Sequence, residues 1–165
     1  MIAHEASIPR DGRHLYPLRI YYEDTDAGGI VYHANYLRFA ERARTEALRD
    51  MGIPHAEMVG QFGLMFVVLR IEVDYQRAAR LDDSLTVVTE SVEVGGASVV
   101  LRQDVRGAAG SCAVLTVRLA CVSTGAGGNK PGRIPPRWRA ALTAMRDARP
   151  SGQANDTRAA ADSGL

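Results

Sequence analysis

Between Tyr36 and Met51 the residues Tyr36, Ala40, Ala43, Ala47 and Met51 recur at steps of four, three, four and four, the period of a helix with one buried line. Three of the five are alanine, so whatever covers that line must lie very close to the helix. Leu37, Phe39 and Leu48 widen the stripe, while Glu41, Arg42, Arg44, Glu46 and Arg49 are expected on the other, solvated side. Gly52 and Pro54 supply the stop. The cover for the helix lies in the rest of the chain. "LRIYY" (Leu18 to Tyr22) is a short strand pattern, and after a short helical or irregular stretch near Pro54 to Gly60 come four long ones: Leu64 to Tyr75, Leu85 to Val94, Ser98 to Arg106 and Ser111 to Ser123. Gly95-Gly96 and "GAAG" at 107 to 110 mark tight hairpins between them. The expectation is an α+β fold, four long strands in a meander forming a curved antiparallel β-sheet wrapped around a central α-helix. Trp138, Leu142 and Met145 at steps of four and three predict a terminal helix over Pro136 to Arg146.

One domain of 165 residues can bury a sizeable core without metal or disulfide support. Its expected extent is 16–148, between a loose N-terminal arm at 1–15 and a small, polar, disordered tail at 149–165. A formal charge of +1 gives no overall field for nucleic acid or an anionic membrane, so an anionic ligand needs a local cluster. No apolar run approaches the roughly 18 residues of a membrane span, and the N-terminus lacks a signal pattern, which predicts a cytoplasmic protein without membrane insertion. Cys112 and Cys121 lie an odd number of residues apart in one predicted strand, on opposite faces, and are not expected to pair.

"YYEDTDAGGIVYHANY", Tyr21 to Tyr36, concentrates acid, glycine and histidine where a strand gives way to the helix. Aligned from Asp24 it matches a calcium loop at positions one, three and six, but Gly28 stands at five and Asn35 at twelve, where a bidentate Glu belongs. Zinc fares no better, since His4, His14, His33 and His55 form no pair at helical ligand spacing. Two readings stay open. An ordinary turn accounts for Gly28 and Gly29. A catalytic carboxylate aimed at a helix start accounts for every piece, because the unpaired N–H groups of a helix N-terminus can polarise a carbonyl while the acid attacks it or activates water. No nucleophile elbow, Walker motif or dinucleotide glycine pattern occurs.

The stretch "YYEDTDAGGIVYHANYLRFAERARTEALRDMGI", Tyr21 to Ile53, closely resembles the small bacterial acyl-CoA thioesterases of the hot-dog superfamily, in the branch associated with the Tol-Pal envelope system; hydroxybenzoyl-CoA thioesterases are more distant relatives. "FVVLRIEVDY", "ARLDD" (Ala79 to Asp83) and "NKP" (Asn129 to Pro131) extend the likeness over most of residues 18 to 135. The resemblance implies a hot-dog fold, a homodimer or homotetramer with sites at the dimer interface, an acyl-CoA substrate or the same acyl group on an acyl carrier protein, and no cofactor or metal. The second acid of the motif, Asp26, becomes the catalytic carboxylate, as nucleophile or general base, with Asp24 a structural hydrogen-bonding partner. The polarising amide becomes that of His33, whose side chain is a further catalytic candidate. Gly28, Gly29 and Tyr36 shape the pocket, Tyr32 is a candidate for its lining, and Arg80, Lys130 and Arg133 are candidates for the CoA phosphates. At "YQRAARLDD" the chain departs from the branch, with Ala78 where relatives tend to have proline. A non-catalytic acyl-CoA or acyl-carrier-protein binding module, or an envelope-system adaptor, is the alternative from another class.

Overall fold

The computed structural model describes residues 11–150; most of the predicted arm and the tail beyond Pro150 lie outside the described residues. In chain order the elements are β1 (Arg13–Arg19), a 3-10 turn (Tyr22–Asp24), α1 (Asn35–Asp50), α2 (His55–Phe62), β2 (Leu64–Tyr75), β3 (Ser84–Val94), β4 (Ser98–Gly107), β5 (Gly110–Ser123) and α3 (Pro136–Asp147). The strands form one antiparallel sheet in the order β1-β3-β4-β5-β2.

That order corrects the predicted four-strand meander. Only β3, β4 and β5 follow one another across the sheet; β2 runs along the far side of β5, from Leu64 opposite Ser123 to Tyr75 opposite Ala113. The edge of β3 that a meander would give to β2 is taken by β1, from Arg13 opposite Glu90 to Arg19 opposite Ser84. The first strand therefore begins at Arg13, inside the predicted arm, and ends before Tyr21. Pro17 is tolerated because β1 is an edge strand. Tyr21 and Tyr22 leave the sheet because the Asp24 carboxylate accepts the Tyr21 N–H at 2.9 Å and ties the 3-10 turn.

The helix α1 lies against one face of this sheet. Ala40 and Ala43 have no exposed surface, and with Tyr36 and Phe39 they share a core cluster with Leu85 and Val87 of β3, Leu101 of β4 and Leu115 and Val117 of β5. The three alanines in the middle of the line let sheet and helix approach until polar groups meet. Gln103 of β4, fully buried, donates from Nε2 to the Ala40 carbonyl at 2.8 Å and to Thr89 Oγ1 at 3.0 Å. The helix stops at Gly52, whose φ of 71° suits glycine, while the Ile53 N–H reaches back to the Leu48 carbonyl. A second cluster joins Ile53, Met58 and Cys121 to Ile134 and Trp138, so α3 closes the core at the end where α1 finishes. Trp138, Leu142 and Met145 are all buried as their spacing predicts, Trp138 in this cluster and Leu142 in the first.

One α1 residue departs from the predicted pattern. Arg44, expected on the solvated side, is part-buried and donates from Nη1 to Gln103 Oε1 at 2.8 Å. Its long stem follows the core edge, a placement that a charge-based helical wheel assigns to solvent.

Candidate active site

Residues 25–31 form a small hairpin closed by a bridge between Thr25 and Val31. At its tip the Asp26 N–H donates to the Ile30 carbonyl at 2.9 Å, and the Gly29 N–H donates to the Asp26 carbonyl at 3.0 Å. Gly29 takes a φ of 75°, which a turn this tight requires. The Asp26 side chain joins the turn through one oxygen: Oδ1 accepts the Gly28 N–H at 2.8 Å. That bond fixes the carboxylate's rotamer. Oδ2 has no donor among the described residues and the residue is exposed, so the second oxygen is presented from a fixed base.

The hairpin is stitched to its surroundings on two sides. The Val31 N–H donates to the Ala79 carbonyl, and Ile30 bridges Arg80. On the other side the Asp24 carbonyl accepts both the Tyr32 N–H and the Asn35 Nδ2 at 2.9 Å. Asp24 itself is 9% exposed, with its carboxylate committed to Tyr21 N–H. It acts as a brace for the junction.

The start of α1 follows this hairpin directly in the chain. The Tyr32 carbonyl accepts the Asn35 N–H at 2.9 Å and so points into the helix. In a trans peptide the amide points opposite to its carbonyl, so the His33 N–H points out of the helix N-terminus, and among the described residues no acceptor meets it. The His33 carbonyl accepts the Tyr75 hydroxyl at 2.8 Å, which anchors the next peptide to the end of β2. The His33 ring lies with its centroid 4.5 Å from that of Tyr32 and 6.3 Å from that of Tyr75. Tyr75 and Asn35, which hold the helix start in place, carry no signal in the sequence that singles them out.

Of the other predicted site residues, Gly28 and Gly29 sit in the hairpin and Tyr32 is half-exposed beside it. Tyr36 is 3% exposed; its hydroxyl accepts the Ala79 N–H at 3.3 Å, its ring packs edge-on to Tyr75, and burial raises its pKa. It forms the floor under the junction. Arg80 is exposed and adjoins the hairpin through Ile30. Lys130 and Arg133 are not brought to Asp26 within the chain. They follow β5, where Val122 bridges Pro131, at the Leu64 end of β2, whereas His33 is bonded to Tyr75 at the other end, roughly 35 Å of extended strand away. Both cysteines are free and buried, and burial pushes both thiols up, which disfavours the thiolate.

The described residues contain no helix long and apolar enough to cross a membrane. The thioesterase superfamily model matches residues 28–114. Over 132 residues the chain is 44% identical to the acyl-CoA thioesterase YbgC of Haemophilus influenzae, covering 80% of this chain and 96% of that protein. The acyl-CoA thioester hydrolase YbgC of Escherichia coli O6:H1 is 47% identical over 90 residues, 54% of this chain and 66% of that protein. Among solved structures, a probable thioesterase from Bartonella henselae superposes with a TM-score of 0.69 at 34% identity, covering 74% of this chain and 99% of that one. With its helix laid in a five-stranded antiparallel sheet and this likeness along most of its length, the chain belongs to the thioesterase superfamily and has the hot-dog fold.

Proposed function

We propose that the chain hydrolyses acyl-CoA thioesters with Asp26 as the catalytic carboxylate and the His33 N–H as the group that polarises the thioester carbonyl. One observation carries the reading: a carboxylate pinned by Oδ1 to Gly28, with no donor to Oδ2 among the described residues, belongs to the same short segment as an amide at the start of α1 that has no acceptor among them. As nucleophile, Oδ2 forms a bond to the acyl carbon, the carbon–sulfur bond breaks, and CoA leaves as the thiolate and is protonated; water then cleaves the mixed anhydride. As general base, Asp26 takes a proton from water as that water attacks the same carbon. In both routes negative charge grows on the carbonyl oxygen, and a fixed N–H dipole at a helix N-terminus stabilises it.

Arg80, beside the hairpin, suits a CoA phosphate in the same chain. Lys130 and Arg133 reach the site from a second copy. The outer edge of β2 is unpaired, with Val68 and Leu69 exposed on it, and antiparallel pairing of two such edges about a twofold axis sets the Leu64 end of one beside the Tyr75 end of the other. The test is free-thiol release from a panel of aliphatic and aromatic acyl-CoAs by wild type and Asp26→Asn. The expected result is wild-type turnover and a loss of about a hundredfold or more in the variant, the scale on which a catalytic acid or base contributes, with unchanged thermal stability. Acyl-CoA binding without turnover by the wild type would favour the binding module instead.

A further inference from the structure

Arg44 brings a positive charge into the protein without a carboxylate at ion-pair distance among the described residues. Its Nη1 donates to Gln103 Oε1, and because Gln103 Nε2 is spent on the Ala40 carbonyl and Thr89 Oγ1, the amide can offer the guanidinium only that neutral oxygen. A guanidinium has five N–H donors in a planar fork that matches a carboxylate. Burial lowers the pKa of Arg44, and the opposing influence is the charge of Glu41, one turn earlier on α1. A part-buried cation answered by one neutral acceptor is a destabilising arrangement unless a ligand completes it.

Arg44 also lines a cleft of about 420 Å³ between α1 and β2. The cleft begins at Leu37, in the first turn of α1 beyond the His33 amide, and is walled by Leu48, Phe66 and Ile71. The charged groups facing it are Arg38, Arg44 and Glu41, so cations exceed the one carboxylate. Helical side chains lean toward the N-terminus, which brings the guanidinium back to about 10 Å along the axis from His33.

We propose that this cleft receives the distal end of the acyl group and that Arg44 is a specificity-determining residue, binding a carboxylate at the far end of a dicarboxylic acyl chain. The proposal rests on the thioesterase reading and names a substrate class for it: CoA thioesters of dicarboxylic acids, with the apolar walls taking the methylenes and Arg44 the terminal anion. Glu41 opposes that anion and limits the selectivity.

The test uses two non-hydrolysable CoA thioethers of equal chain length, one ending in a carboxylate and one in a methyl group, bound to the full-length protein by calorimetry. In parallel, hydrolysis of adipyl-CoA is compared with hydrolysis of hexanoyl-CoA. The wild type binds the carboxylated thioether in preference. In Arg44→Met the preference falls about ten- to hundredfold, the worth of a hydrogen bond to a charged group, Arg44→Lys keeps part of it, and Glu41→Gln raises it several-fold. A wild type that prefers the methyl end, or a preference untouched in Arg44→Met, overturns the proposal; if that variant also loses its assembly on gel filtration, Arg44 belongs to a subunit contact. Where Arg44→Met fails to fold, Glu41→Gln decides, and an unchanged preference there overturns the subsite. Arg44-dependent binding without turnover of any acyl-CoA sinks the hydrolase reading and leaves the subsite standing. Turnover that depends on Asp26 but is indifferent to Arg44 does the reverse.

Discussion

A methyl group placed on Gly28 tests the Asp26 assignment without touching the carboxylate. The added Cβ would stand 3.1 Å from Asp26 Oδ1, inside the 3.4–4 Å of ordinary contact. Gly28 is outside the left-handed region, so the backbone accepts alanine and relief comes from the side chain: the carboxylate moves by several tenths of an ångström and lengthens its 2.8 Å bond to the Gly28 N–H. If a misplacement of 1 Å costs about a hundredfold in rate, this one costs about tenfold, equivalent to about 1.4 kcal/mol in the barrier. Stability hardly changes, because the entropy removed from the unfolded chain, about 0.4–1 kcal/mol, offsets a weakened hydrogen bond worth about 0.5–1.5 kcal/mol. Gly29→Ala is the control. Its Cβ would meet nothing within 4 Å, but its φ of 75° costs alanine about 1–2 kcal/mol. Steady-state thiol release and thermal melting should therefore cross over: Gly28→Ala loses turnover and keeps its melting temperature, whereas Gly29→Ala loses melting temperature and keeps more of its turnover. Wild-type kcat/KM in Gly28→Ala would refute the idea that the pose of this carboxylate limits the reaction.

Tyr75→Phe removes the hydroxyl that holds the His33 carbonyl; kcat should fall several-fold with KM little changed, and stability by no more than about 1 kcal/mol since the residue is 51% exposed; a pure KM effect in steady-state kinetics would contradict the anchoring role. Ala43→Leu forces a longer side chain between α1 and the sheet at a position with no exposed surface, and thermal or urea unfolding should show a loss of about 1–3 kcal/mol; an unchanged midpoint would mean that helix and sheet are not in close contact there. His55 Nε2 accepts the Phe66 N–H at 2.9 Å, and burial lowers the pKa of the ring below 6.5, so the folded state holds it neutral. The unfolded chain takes up the proton first as the pH drops, so this contribution is whole above pH 6.5 and is lost as the pH falls through the folded value. Melting temperatures of His55→Gln should thus decline less than wild type between about pH 7 and pH 5, and parallel curves would rule the linkage out.

The parts of the fold carried by local periodicity were legible. The α1 stripe, its glycine stop, the four long strands and the Trp138 face of α3 each follow from residues that are neighbours in the chain. Pairing is another matter, since a strand pattern states which side is buried and not which strand lies alongside, so chain order alone sets β2 beside the wrong neighbour, while the mixed residues of β1, starting at Arg13, carry less strand signal than the apolar run that follows them. The parity of β2 also changes partway. Val68 pairs with Leu119 and Arg70 with Arg118, so Leu69 is an extra residue in a bulge, and the core-facing series passes from Phe66 to the odd-numbered Ile71 and Val73. Alternation read straight through that strand assigns half of it to the wrong face.

The candidate site divides along the same line. Asp26, Gly28, Gly29 and the His33 amide form one short segment, and their arrangement is a matter of turn chemistry that the sequence displays. The bond between Tyr75 and His33 joins residues 42 apart, and the one between Arg44 and Gln103 joins residues 59 apart; each exists because α1 is narrow enough to lie against the sheet, and neither partner announces the other. The phosphate candidates show the consequence most plainly. Arg80, Lys130 and Arg133 are equivalent as cations in turns, but Arg80 is bridged to the hairpin through Ile30, whereas the other two stand at the opposite end of β2. Which cation can serve a ligand at Asp26 is thus decided by the direction in which β2 crosses the sheet. If all three serve one ligand, that strand must meet a second copy of itself running the other way.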